Sequence, residues 1–207
     1  KVTSFLLDDP NVPATVKEEA TKIAADYYKQ AWDYTKPKVG QLILMSGLSG
    51  SGKSTTARHL ARQLGAIQLR SDAVRKHLGG ISLWEKGGDD LYTPEMTEKT
   101  YARLLELGII LAKQGFPVIL DAKYDKQQLR QEAIAQAKKH QLPLQIIQCT
   151  APLEVLEERL NNRTGDIADA TADLLASQLQ QAEPFTEEEQ SYVKILDTTQ
   201  PQQAQLK

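Results

Sequence analysis

The stretch 42-LILMSGLSGSGKSTTARHLARQLG-65 sets an apolar run against a helical pattern, with Gly47, Gly50, Gly52 and Lys53 between them. Glycines so close together would weaken either a helix or a strand, so the residues between are a loop. The run 41–46 reads as a buried strand, and Thr55 to Leu64 as a helix that stops at Gly65. The loop fits G-x-x-x-x-G-K-[ST], with Gly47, Gly52, Lys53 and Ser54 in the required places. Glycines let a backbone approach phosphate oxygens, and successive N–H groups at a helix start form an anion nest. In this pattern the lysine neutralises β- and γ-phosphates and the Ser54 hydroxyl takes a place on Mg²⁺. The expected ATP-binding residues are Gly47, Leu48, Ser49, Gly50, Ser51, Gly52, Lys53, Ser54 and Thr55, with Arg159 farther along the chain.

Outward from this loop, strands and helices alternate. Strands are predicted at 66–71, 117–122, 142–150 and 192–198, and helices at 72–78, 94–114, 126–140, 152–160 and 171–182. Thr93 is predicted to cap the helix that Pro94 opens. Apolar strands alternating with helices imply an α/β fold: a parallel sheet covered on both faces, with ligands at the carboxyl ends of the strands. Ahead of the first strand, apolar positions at helical spacing run from Pro13 to Tyr34, and a linker "TKPKVG" follows. This reads as a leading helix and linker (1–38) before the main domain (39–200), with an aromatic stripe expected to pack and a Gln-rich tail at 201–207. Residues 1–11 read as irregular.

Composition narrows the field. The 207 residues carry a net charge of −2 and 6% aromatics, which speaks against a nucleic-acid partner. Cys149 is the lone cysteine, so no internal disulfide forms and a reducing, cytoplasmic setting is expected. His59, His77 and His140 lack metal-ligand spacing, and no apolar run is long enough to span a bilayer. The chain starts at Lys1 rather than Met, as a piece of a longer chain would.

The residues just past each strand carry the candidate chemistry. Asp72 and Arg75 share one helix face after the second strand. There Asp72 can take a proton from a hydroxyl held in line with a phosphoryl group, and Arg75 can hold an anionic or hydroxylated substrate. Asp121, ending the third strand, is placed to hold Mg²⁺ as Walker-B acids do. Asp125 reads as a helix cap, and Lys123 and Arg130 as candidate substrate contacts. Arg159 and Arg163, four residues apart ahead of a break at Thr164 to Ala168, have the look of a lid, at about 161–172, that carries arginines over the transferring group.

Taken together, "GLSGSGKST", "LRSDAVRKHLGG", "LYTPEMTEKTYARL", "VILDAKY" and "RLNNRTGDIADA" resemble the AAA_33-type P-loop kinases, relatives of gluconate kinase, chloramphenicol phosphotransferase and the zeta toxins. The resemblance runs from about Gln41 to Thr198. It implies a P-loop NTPase of nucleoside-monophosphate-kinase-like form, three layers α/β/α around a five-stranded parallel sheet ordered 2-3-1-4-5. It also implies that Asp72 is the catalytic base, that Arg163 and Arg159 are lid arginines, and that ATP and Mg²⁺ are used. In many such proteins an aminoglycoside-phosphotransferase-like domain precedes this one. Two departures stand out: Ala168 where a serine is usual, and Lys123 in "DAK" where "DAT" is commoner.

The leading expectation is therefore an ATP- and Mg²⁺-dependent kinase acting on a hydroxyl of a small molecule. The catalytic set is Lys53, Asp72 and Arg163, with Ser54 and Asp121 at the metal. The loop 81–93, with Trp84, Tyr92 and Thr93, is expected to help shape the acceptor pocket. The alternatives are a nucleotide-sensing module without transfer activity and a polynucleotide 5′-hydroxyl kinase. A sensor has no use for a base such as Asp72, and the polynucleotide enzyme needs a basic single-strand groove.

Overall fold

The computed structural model describes residues 2–36, 40–162, 166–167 and 175–200. They form two compact units, Lys1–Lys38 and Val39–Lys207. In the first, helix α1 (Val2–Asp8) packs on helix α2 (Ala14–Thr35). The short α1 replaces the irregular entry read from the sequence. Pro13 occupies the cap position of α2, and Ala20 is that helix's buried residue. Tyr27, Tyr28, Trp32 and Tyr34 are exposed rather than buried.

The second unit is built on five parallel strands: β1 (Gln41–Ser46), β2 (Ile67–Arg70), β3 (Pro117–Asp121), β4 (Leu144–Thr150) and β5 (Val193–Asp197). Their order in the sheet is β2-β3-β1-β4-β5, all neighbours parallel. β1 is central, and its side chains divide between two cores. Ile43 and Met45 join Ala57 and Leu60 of α3 (Lys53–Leu64) on one face. Leu42 and Leu44 join Tyr101, Leu104 and Leu105 of α5 (Pro94–Lys113) and Ala133 and Ile134 of α6 (Gln127–Lys139) on the other. The period-two alternation of a strand buried on both sides explains the unbroken apolar run in the sequence. The result is the three-layer α/β/α fold with the strand order that the resemblance implied.

Local signals act where the sequence placed them. Thr93 Oγ1 accepts from Met96 N at 3.2 Å, with Pro94 at the first helical position. Gly65, at φ 61°, ends α3. Between β2 and α5 lie α4 (Ser71–Leu78) and a 3₁₀ turn (Asp89–Tyr92), and α7 (Leu153–Asn161) follows β4. Beyond it come α8 (Leu175–Gln181) and a one-turn helix, α9 (Glu187–Gln190), which the sequence reading missed. A capping box formed by Thr186 and Glu189 fixes α9. Among the described residues no helix is long and apolar enough to cross a membrane.

Candidate active site

The carboxyl ends of the strands open on a cleft of about 1600 Å³, and Lys53, Ser54, Asp72 and Asp121 all line it. One side of it is the loop between β1 and α3. Gly47, Gly50 and Gly52 have φ of 131°, 79° and 85°, a region that costs other residues strain. At Gly47 a Cβ would also meet Cys149 O at 2.4 Å, so this corner admits glycine alone. The loop is tied on three sides. Gly47 N donates to Lys123 O at 3.1 Å, behind β3. Ser49 N donates to Gln178 Oε1 of α8 at 3.1 Å. Arg159 of α7 donates to Gly50 O at 3.3 Å, to Thr198 Oγ1 at 2.8 Å and to Thr198 O at 3.0 Å.

The loop fits a phosphate tail. No side chain caps the N-terminus of α3, and its first turn holds no acid. The first amides of that helix are therefore donors with no intrahelical partner, at the positive end of the helix dipole. Lys53 Nζ donates to Leu48 O of its own loop at 2.7 Å. Burial lowers the Lys53 pKa, and the nearby Asp121 charge opposes the shift. An anion arriving here meets a half-buried cation, whose charge is less screened than one in open water. For Mg²⁺ the donor set would be Ser54 and Asp121, which line the cleft together and carry hard oxygens of the right kind. Asp121 is buried and accepts from Gln68 Nε2 at 2.8 Å. Among the described residues no group of His, Cys, Asp or Glu is arranged to hold a metal unaided. Hydroxyl, carboxylate and phosphate oxygens together would make up such a site.

The other side of the cleft begins at Asp72, in the first turn of α4; Arg70, not Asp72, sits at the cap position. Burial raises the Asp72 pKa, with the Arg70 charge opposing and the Asp121 charge reinforcing the shift. Arg75 is buried one turn on. Its Nη1 donates to Leu91 O at 2.7 Å and Thr97 Oγ1 at 3.2 Å, and its guanidinium lies over the Tyr92 ring at 5.0 Å. Trp84 and Tyr92 line the same cleft, whereas Thr93 is spent as the α5 cap. Lys123 also lines the cleft and pairs with Asp125 at 3.1 Å. That pairing corrects the reading of Asp125 as a helix cap: Lys126 holds the cap position of α6, and no side chain caps it.

Arg130 needs a larger correction. It was expected to contact substrate, yet it is wholly buried. Its Nε and Nη2 form a two-point pair with Glu189 at 2.9 and 3.0 Å, and it also bonds the carbonyls of Tyr124, Glu183 and Pro184. It stacks on Phe185 at 4.4 Å. With every nitrogen engaged inside the fold, Arg130 joins α6 to the segment around α9. Arg159 sits beside the loop, and its donors go to protein carbonyls and a hydroxyl. Arg163 and most of the 161–172 segment lie outside the described residues.

Sequence reasoning missed Arg70 and Gln178. Arg70 ends β2, so the rule that singled out Asp72 reaches it too. Gln178 carried no local signal, since only the folded chain brings α8 to the loop.

The chain as a whole is similar to known proteins. An uncharacterised protein of Mycobacterium bovis is 31% identical over 165 residues, 78% of this chain and 33% of that protein. The chain thus spans about a third of the length of the curated relatives it matches first, 33% in each case. An adenylyl-sulfate kinase of Myxococcus xanthus is 33% identical over 125 residues, 58% of this chain and 63% of the relative. A gluconokinase structure from Sinorhizobium meliloti superposes with a TM-score of 0.58 at 23% identity, covering 82% of this chain and 89% of that one, and so shares the fold. The family model described as "AAA domain" matches residues 42–185, and the chain belongs to that family, AAA_33.

Proposed function

We propose that this chain is an ATP- and Mg²⁺-dependent phosphotransferase that moves a γ-phosphoryl group to a hydroxyl of a small molecule in the cytoplasm. One observation carries the reading: the phosphate loop and a half-buried carboxylate of raised pKa, Asp72, line one cleft. A carboxylate of raised pKa is the better proton acceptor near neutrality. When bound, ATP supplies the phosphoryl group and Mg²⁺ neutralises its charge. The chain does the rest. Lys53 and the first amides of α3 hold the phosphates, and Ser54 and Asp121 are the metal's protein ligands. Asp72 takes the acceptor's proton as the new O–P bond forms and the bond to ADP breaks. Arg75 and Lys123 face the acceptor, and Arg163 belongs to the lid. The kinase relative from Myxococcus xanthus supports the chemistry and leaves the acceptor open.

The test is an acceptor screen with ATP and Mg²⁺ over sugars, sugar nucleotides, aminoglycosides and nucleosides. Asp72→Asn is expected to lose transfer by about a hundredfold or more while keeping nucleotide affinity within a few fold. Transfer at the wild-type rate by that variant would remove Asp72 from the role of base. A second reading, a nucleotide-sensing module, draws on the chain spanning 33% of a longer relative. A barren screen, with nucleotide-dependent activity elsewhere in such a protein, favours it.

A further inference from the structure

The least expected group in the cleft is Arg70. It ends β2 on the edge of the sheet, and its side chain is only 17% exposed. Its Nη2 donates to Asp166 Oδ1 at 2.7 Å and lies 3.5 Å from Asp72 Oδ2. Its Nε lies 3.7 Å from Asp121 Oδ2. That Nε is buried and has no hydrogen-bond partner among the described residues. One guanidinium thus stands among three carboxylates from three parts of the chain: the candidate base, the candidate metal ligand, and the short 166–167 segment beyond α7.

Charge explains why such a group is needed. Asp72 and Asp121 must both face a polyanionic donor, and unscreened they repel it and each other. Lys53 belongs to the phosphate loop and cannot also orient Asp72. A planar fork can meet several oxygens at fixed angles, which a lysine cannot. We propose that Arg70 is a positioning residue for the transfer reaction: it orients the Asp72 carboxylate, and Asp166 holds Arg70 in place. This rests on the phosphotransferase reading above. It assigns Arg70 no contact with the reacting atoms; its effect passes through Asp72.

The experiment uses the whole chain, with ATP hydrolysis to water as the turnover assay and calorimetric binding of AMPPNP with Mg²⁺ as the control. Arg70→Gln is expected to lower kcat about tenfold or more, with KM for ATP and AMPPNP affinity within about twofold. Arg70→Lys, which keeps the charge and loses the fork, recovers only part of the rate. In an Asp72→Asn background, Arg70→Gln adds nothing further. Asp166→Asn lowers kcat in the wild type but not in Arg70→Gln. Losses that multiply in the Arg70/Asp72 double variant overturn the proposal, because an arginine acting on the phosphoryl group itself would behave so. An unchanged kcat in Arg70→Gln, or a loss that falls equally on AMPPNP binding, overturns it too. If thermal melting shows Arg70→Gln unfolded, the same comparisons are made on Arg70→Lys. Wild-type chain that turns over no ATP, with water or with any acceptor of the screen, brings down the functional reading and this proposal together; wild-type turnover with an indifferent Arg70 brings down this one alone.

Discussion

At the scale of single residues, the site and the fold make opposite demands on charge. Asp72 is held where burial disfavours its ionised form. Its native pKa lies above the unfolded value, so the folded state binds the proton more tightly. Its contribution to stability is present below the unfolded value of 3.8 and is lost as pH rises through the native one. At neutral pH the ionised carboxylate is a net cost, the usual trade between activity and stability. Asp72→Asn should therefore raise Tm at neutral pH, and that gain should vanish in melts run below pH 3.8. Arg130 is the converse case, a buried charge with its partners supplied. Glu189→Gln leaves that cation without its counter-charge, at a cost of about 3–5 kcal/mol. Denaturant titration should register the loss, while nucleotide affinity of the folded fraction stays as it was. From the sequence, Arg130 and Arg75 looked alike: arginines near the end of a strand. Both are buried, but Arg75 lines the cleft and Arg130 does not, a difference set by which distant segments arrive overhead, here Leu91 to Thr97 and Pro184 to Glu189.

At the scale of elements, strands, helices and the phosphate loop were legible because each has a local cause. The apolar run of β1, the Thr93-Pro94 start of α5 and the Gly65 stop of α3 act within a few residues of where they stand. The short pieces were not. Helix α1 has seven residues and α9 has four, too few for a periodic pattern to show. The arginine assigned to a lid, Arg159, acts instead as a strut, because α7 runs directly behind the loop. The loop itself is the most exacting element. Gly47→Ala puts a methyl group against Cys149 O at 2.4 Å and strains a backbone at φ 131°. The expected outcome is at least a tenfold loss of ATP affinity by calorimetry, with far-UV circular dichroism little changed, since the strain is confined to one corner.

At the scale of the whole molecule, the strand order could be expected only through family resemblance, because it depends on long crossovers that no local pattern encodes. The alternation did establish that the sheet is parallel, and hence that chemistry gathers at one end of it. The three ties on the phosphate loop extend this logic. Through Gly47 the loop is bonded to the segment after β3. Through Arg159 it is bonded to the end of β5, and through Gln178 to α8. It is a keystone between the two halves of the sheet rather than an appendage at one edge. A ligand seated there braces everything the loop is pinned to. Hydrogen–deuterium exchange with AMPPNP should slow at the Gly47 amide and also at the Thr198 amide, whose bond to Thr150 O spans 2.9 Å at the far edge of the sheet. Slowing confined to the loop would mean the pins do not carry load. What the sequence presents as a pliant glycine turn would then behave, once occupied, as the stiffest joint in the protein.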